Sequence, residues 1–200
     1  MVANDEARRV GVTGPPSLGE AAQVSLHEIR GFRKPLGWDH QVPAEPVLWA
    51  AYEEQRFAYS GRTSGGLGLD FAPAWSASLS NFLTGARLGL TARGGYGVPR
   101  PWAPPGIAPE RPISLYALAV VREDWVLHDL TLDGSTFGSS PSVAKRPFVL
   151  QTEFGGGLSG GGVSLECRVI ARGREYDDGP RVHRYGSIRV SFGRGGFPDL

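Results

Sequence analysis

Residues 163–174 read VSLECRVIARGR. Val163, Leu165, Cys167, Val169 and Ala171 fall on one side of an extended chain, with Ser164, Glu166, Arg168 and Arg172 on the other. Successive side chains of a strand point to opposite faces, so the stretch predicts a strand with one apolar and one charged face. The glycines at 160–162 precede it as a turn, and residues 148–158 supply the other arm of the hairpin. The same period recurs at 82–93, where Phe82, Ala86, Leu88, Leu90 and Ala92 oppose Gly85, Arg87, Gly89, Thr91 and Arg93. It recurs again at 185–192, where Ile188, Val190 and Phe192 face away from Arg189 and Ser191.

Working outward, residues 114–126, 67–78 and 47–59 read as further strands, the last with Trp49, Ala51 and Phe57 on one face. Residues 10–14 read as the tail of another. Residues 1–9 are polar and without a pattern, which predicts a disordered or truncated start. Residues 194–200 read as a tail beyond a β-barrel domain spanning 10–193. Most of these strands exceed the roughly 5–6 residues typical of soluble sheets. They fit the about 9–11 residues, apolar outward and polar inward, of a strand that crosses a bilayer. Trp49, Tyr59, Trp75, Trp102, Trp125 and Tyr185 are expected near strand ends, as interfacial girdles. The fold class expected is all-β, an antiparallel outer-membrane-type barrel with one short helix in an extracellular loop. A soluble β-sandwich is the competing reading.

Composition agrees with many strands and tight turns: 200 residues hold 29 Gly and 16 Pro beside 5 Trp, 6 Tyr and 9 Phe. A net charge of +1 argues against a nucleic-acid binder, which concentrates basic residues. The lone Cys167 forms no internal disulfide and excludes cysteine-based zinc sites. No window holds the 18 or so apolar residues of a membrane helix, and the polar start MVANDEARRV is no signal peptide. No serine sits in a GxSxG elbow, which argues against a serine-triad hydrolase. GGGLSGGG lacks the Lys-Ser/Thr of a phosphate loop.

One stretch departs from the strand pattern. Residues 11–46 read GVTGPPSLGEAAQVSLHEIRGFRKPLGWDHQVPAEP. Gly14-Pro15-Pro16 breaks the chain, Ser17 is placed to cap a helix, and Glu20 can close a capping box with it. Glu20, Gln23 and His27 then share one helix face at i, i+3 and i+7, while Leu18, Ala22 and Leu26 line a neighbouring face that is expected to dock. Gly31 ends the helix, and the helix loop spans 15–46. A helix carrying a carboxylate, an amide and an imidazole between strands reads as a site.

With these motifs in place the chain resembles the lipid A 3′-O-deacylase family of outer-membrane barrels (LpxR-type). The matching segments are VGVTGPPSLGEAAQVSLHEIRG, PLGWDHQVPAEPVL, DFAPAWSASLSNFLTGARLGL, LDGSTFGSSPSVAKRPFV and YGSIRVSFG. They cover the C-terminal two-thirds of the family, about eight of its twelve strands. The family's first strands, with an early Asn-Asp pair, have no counterpart, and Asn4-Asp5 are not matched to that pair. Start and end therefore read as those of a fragment or diverged gene.

The resemblance implies hydrolysis of the 3′-linked acyloxyacyl chain of lipid A, with calcium assisting and His27 as the general base. An imidazole that titrates near about pH 6.5 accepts a proton from water at neutral pH. It further implies a bacterial outer-membrane location, lipid A or lipopolysaccharide as substrate among outer-membrane lipid, no nucleic-acid partner, and a monomer if the full barrel exists. The calcium ligands are not identified. The helix loop and residues 127–146 are expected outside, with the turns at 60–66 and 160–162 on the periplasmic side. Residues 94–112 would then make an unusually long periplasmic link.

Around His27 the roles stay open. Glu20 is a capping partner or orients His27, and Gln23 meets substrate or barrel wall. Trp38 and Gln41 shape the pocket entrance or lock the loop. Lys34 and Arg33 meet lipid A phosphates or are solvated. His40, His128 and His183 read as surface or lumen residues. Asp129, Asp133 and Asp177-Asp178 suggest turns more than a calcium loop, lacking EF-hand spacing. The alternative function, of another class, is a catalytically inactive truncated barrel fragment with a structural role only.

Overall fold

The computed structural model describes residues 2–38, 41–99 and 111–192. Its strands are β1 (Val2–Val12), β2 (Pro46–Arg56), β3 (Tyr59–Arg62), β4 (Leu67–Ser80), β5 (Leu83–Tyr96), β6 (Ile113–Asp129), β7 (Phe148–Gly160), β8 (Val163–Gly173) and β9 (Val182–Phe192). They form a single antiparallel sheet in the order β1-β2-β4-β5-β6-β7-β8-β9, with β3 alongside β4. This is one continuous wall, not two facing sheets. β1 and β9 are its two edges. Two helices, α1 (Gly19–Arg30) and α2 (Leu130–Asp133), lie in loops at the same end of the wall.

The expected alternation holds, and it is inverted relative to a protein that folds in water. On β4, Leu67, Leu69, Phe71, Trp75 and Leu79 are exposed, while Asp70 between them is 1% exposed. On β7, Phe148, Leu150, Phe154 and Leu158 are exposed, and Glu153 is 2% exposed. The carboxylates survive burial because each is paired. Asp70 receives Arg62 and Arg93, both at 2.6 Å. Asp124 is held by Arg87 and Arg172, and Glu153 by Arg122 and Arg168. A buried charge without such partners is strongly disfavoured. Apolar residues outside and an ionic network inside define the wall of a membrane barrel. No helix among the described residues is long and apolar enough to cross a membrane, which says nothing of strands.

Several expectations need correction. Residues 2–9 are not a disordered start: they lie in β1, paired along its whole length with β2, Val2 opposite Arg56 and Val12 opposite Pro46. The ladder is made by backbone groups, so a segment polar on both faces pairs without showing a hydrophobic period. The strand expected at 47–59 divides, with Ala58 donating to Phe71 across the break before β3. Residues 130–133, expected as loop, form α2.

The aromatic girdle is only partly present. Tyr59 and Trp125 lie near strand ends on the apolar side, and Trp125 meets Phe148 edge to face. Trp75 is on that side in mid-strand. Trp49 pairs in register with Ser80 on the inner side, its ring 4.6 Å from the Arg9 guanidinium, and Tyr185 lies opposite inward-facing Ile170. Trp102 lies outside the described residues.

Replacing Glu153 by Ala leaves Arg122 and Arg168 without their shared carboxylate and is expected to cost about 3 kcal/mol. Leu165→Ala, on the exposed apolar side, costs little by comparison. Urea unfolding of the chain in detergent measures both, and equal losses would contradict the inside-outside assignment.

Candidate active site

The helix loop is held by its neck. At its base Thr13 N–H donates to the Glu45 carbonyl at 3.0 Å, and Thr13 Oγ1 donates to Pro43 O at 3.0 Å. Gly14 follows with φ +69°, and a Cβ there would lie 2.7 Å from Ala44 N and Val42 O, so only glycine fits. Glu45 itself is 3% exposed. Its carboxylate accepts from Ser135 Oγ, from Asn81 Nδ2 at 3.2 Å, and from the backbone N–H groups of Thr136 and Phe137 at 3.2 and 3.3 Å. One side chain thus joins the neck, the β4–β5 turn and the segment after α2. Desolvation pushes this carboxyl up, but the hydrogen bonds from Ser135, Phe137, Asn81 and Thr136 outweigh it and hold it below its ordinary value.

Helix α1 starts differently from the capping-box expectation. Ser17 lies in a 3-10 turn and donates its hydroxyl to Gly14 O at 2.7 Å. The N-cap is Leu18, in the left-handed region at φ 59°, without a side-chain cap. Glu20 is therefore no capping partner, and its charge lies in the first turn, at the positive end of the helix. The expected docking of Leu18, Ala22 and Leu26 is also corrected. No residue of α1 is buried, and Leu18 and Leu26 are exposed. The neck carries the positioning that a docked face would have supplied.

The C-terminus of α1 ends as the sequence suggests, and this sets the site. Gly31 is left-handed at φ +67° and donates to Glu28 O, while Phe32 N–H donates to His27 O at 2.9 Å. This paired closure is a Schellman motif. It turns the chain back so that the Phe32 ring meets the His27 ring edge to face at 5.9 Å. The Arg33 carbonyl then lies 2.6 Å from His27 Nδ1. A carbonyl can only accept, so Nδ1 carries a proton, and in the neutral imidazole Nε2 then presents the lone pair.

The other expected residues are less closely gathered. Glu20 and Gln23 are exposed on the helix, and neither is hydrogen-bonded to His27. Lys34 pairs with Glu28 at 2.7 Å, both exposed. The Trp38 ring packs against Gly19, where a Cβ would lie 3.6 Å from it, and Gln41 N–H donates to Trp38 O at 3.3 Å. Both contacts stay within the loop, and that of Gln41 is made by its backbone. His40 lies outside the described residues.

Among the described residues no three His, Cys, Asp or Glu side chains converge as a cation site. Asp129 caps α2 through Thr131, Asp133 accepts from Lys145 at 2.7 Å, and Asp177 pairs with Arg146. Calcium coordinates six to eight oxygens, and the described residues gather no carboxylate cluster toward that set. His128 bridges Asn81 O at 2.9 Å and lies 3.6 Å from Asp133. Glu45, Asn81 and Ser135 were not singled out from sequence. The only visible trace of their union is the isolated carboxylate ahead of Pro46, which has no periodic signal.

An antiparallel wall, apolar outside and ionic inside, with a histidine-bearing helix loop at one end, is the architecture of a membrane β-barrel protein. The chain belongs to the family described as outer membrane protein LpxR, whose profile matches residues 4–194. It is similar in structure to LpxR from Salmonella typhimurium, at a TM-score of 0.80 and 19% identity, over 96% of this chain and 67% of that one. At that identity the likeness speaks for the fold. A comparison with curated proteins finds no match.

The Glu45 assignment carries a pH dependence. Its folded pKa lies below the ordinary 4.5, so its contribution is present above that value and lost as pH falls through the folded one. Protection of the Thr136 and Phe137 amides, taken relative to the intrinsic exchange rate at each pH, is expected to fall on acidification below about pH 4.5. In Glu45→Gln that pH dependence disappears.

Proposed function

We propose that the chain acts as an esterase on lipid A in the bacterial outer membrane, releasing the 3′-linked acyloxyacyl chain. The observation that carries this is the His27–Arg33 hydrogen bond, which leaves Nε2 of the neutral imidazole unprotonated on a helix held at the end of a lipid-compatible wall. Family membership supplies the substrate class.

In this reading Nε2 takes a proton from water as its oxygen adds to the ester carbonyl. The tetrahedral intermediate then collapses. The carbon–oxygen bond to the sugar breaks, and the proton on Nε2 passes to the leaving sugar oxygen. A carboxylic acid and a free sugar hydroxyl result, and the imidazole returns to its starting state. The Arg33 carbonyl stabilises the imidazolium formed midway, and Gly31 fixes the turn that brings it there. Calcium assistance is part of the proposal from the family alone, and no step is routed through it. A monomer in lipid, without nucleic-acid partners, is the assembly proposed.

The test is fatty acid release from lipid A by the full chain, with and without added calcium. His27→Ala is expected to lower release by about 10²–10⁴-fold. Gly31→Val forces a branched residue into left-handed backbone, a cost of about 1–2 kcal/mol, and is expected to slow release while leaving strand content intact. Release unaffected by His27→Ala would overturn the reading. No release from the unmodified chain would favour a catalytically inactive barrel wall.

A further inference from the structure

The outward side of the wall carries a second feature, at the feet of the helix loop. A cavity of about 750 Å³ lies over the upper parts of β1, β2 and β4; Arg8, Val10, Leu48, Leu79, Asn81 and Phe137 are among its lining, and Arg9 and Trp49 also border it. Val10 pairs in register with Leu48, and Arg8 with Ala50, which in turn lies opposite Leu79. Val10, Leu48, Leu79 and Phe137 are each at least 67% exposed. The cavity's shape is nevertheless fixed. Asn81 Oδ1 accepts from Leu48 N–H at 3.1 Å, and Asn81 Nδ2 donates to Pro46 O at 2.8 Å. Phe137 is tethered through its own N–H to Glu45.

Arg8 decides what belongs there. It stands on the apolar side of the wall, where an unpartnered guanidinium is costly. Arg56, on the same side of β2, is neutralised by Glu54 at 2.5 Å. Among the described residues Arg8 has no ion-pair partner, Glu6 two residues along the same face included. Arg9 is turned to the other face and stacked on Trp49. An apolar trough therefore ends beside an exposed cation that has no carboxylate. A hydrocarbon chain fits the trough, and a phosphate fits the planar donors of a guanidinium.

The geometry points to this groove as the seat of one acyl chain of lipid A, with a lipid A phosphate on Arg8 and the Phe137 ring lying against the chain. The inference rests on the esterase reading and extends it to where the non-reacting part of the substrate is held.

The experiment measures binding in a His27→Ala chain in detergent micelles, so that turnover plays no part. The probes are phosphorylated lipid A, lipid A stripped of its phosphates, and phosphatidylglycerol. Arg8→Gln is expected to weaken phosphorylated lipid A about tenfold and to leave the stripped form unchanged. Phe137→Ala is expected to weaken both. Both variants are surface changes, and strand content by circular dichroism verifies their fold. Equal binding of phosphorylated lipid A before and after Arg8→Gln overturns the groove, as does a preference for phosphatidylglycerol. If the unmodified chain releases no fatty acid yet binding still depends on Arg8, the esterase reading fails and the groove stands.

Discussion

Three carboxylates on the inner side of the sheet, Asp70, Asp124 and Glu153, are each clasped by two arginines from other strands, adjacent ones except for Arg172, which reaches Asp124 across β7. This is the constraint on which the wall depends. Strand side chains alternate strictly, so a slip of one residue would carry these charges to the apolar side and bring Leu, Phe and Val inward. Register is therefore held by ion pairs inside as firmly as by lipid-compatible residues outside. The pairs also link β3 to β4 and β5, β5 to β6 and β8, and β6 to β7 and β8, so the network spans most of the sheet.

That fixed register is what lets the loops at one end act together. Asn81 at the β4–β5 turn, Ser135 after α2 and Glu45 before β2 come from parts of the chain far apart in sequence. They meet because their strands end at the same level. The helix loop needs no docked face, since Thr13, Gly14 and Glu45 close its neck, and Gly31 then turns the chain back onto His27. The orientation of the His27 ring is thus traced to a glycine at a helix end.

Much of the wall was legible from alternation alone. Residues 163–174 and 82–93 showed their faces directly, and Gly31 announced the helix end. The segments that misled lack that signal. Residues 2–9 are polar on both faces and are held by backbone pairing with β2, which no side-chain period reports. Trp49 was assigned to an outer girdle on residue type, yet its register places it inside with Arg9. The capping box failed because Gly14-Pro15-Pro16 forces a 3-10 turn that consumes Ser17. In the helix loop, His27 was singled out by its motif as the candidate base. Glu45 was not, because its role exists only once three distant segments converge.

The central claim is that the apolar side of this sheet meets lipid and the ionic side does not. Fluorescence quenching by brominated lipids tests it most directly, in single-tryptophan variants that each retain Trp75, Trp125 or Trp49. The account predicts strong quenching for Trp75 and Trp125 and weak quenching for Trp49, which lies inside against Arg9. Equal quenching at all three, or none at Trp75 and Trp125, would contradict it.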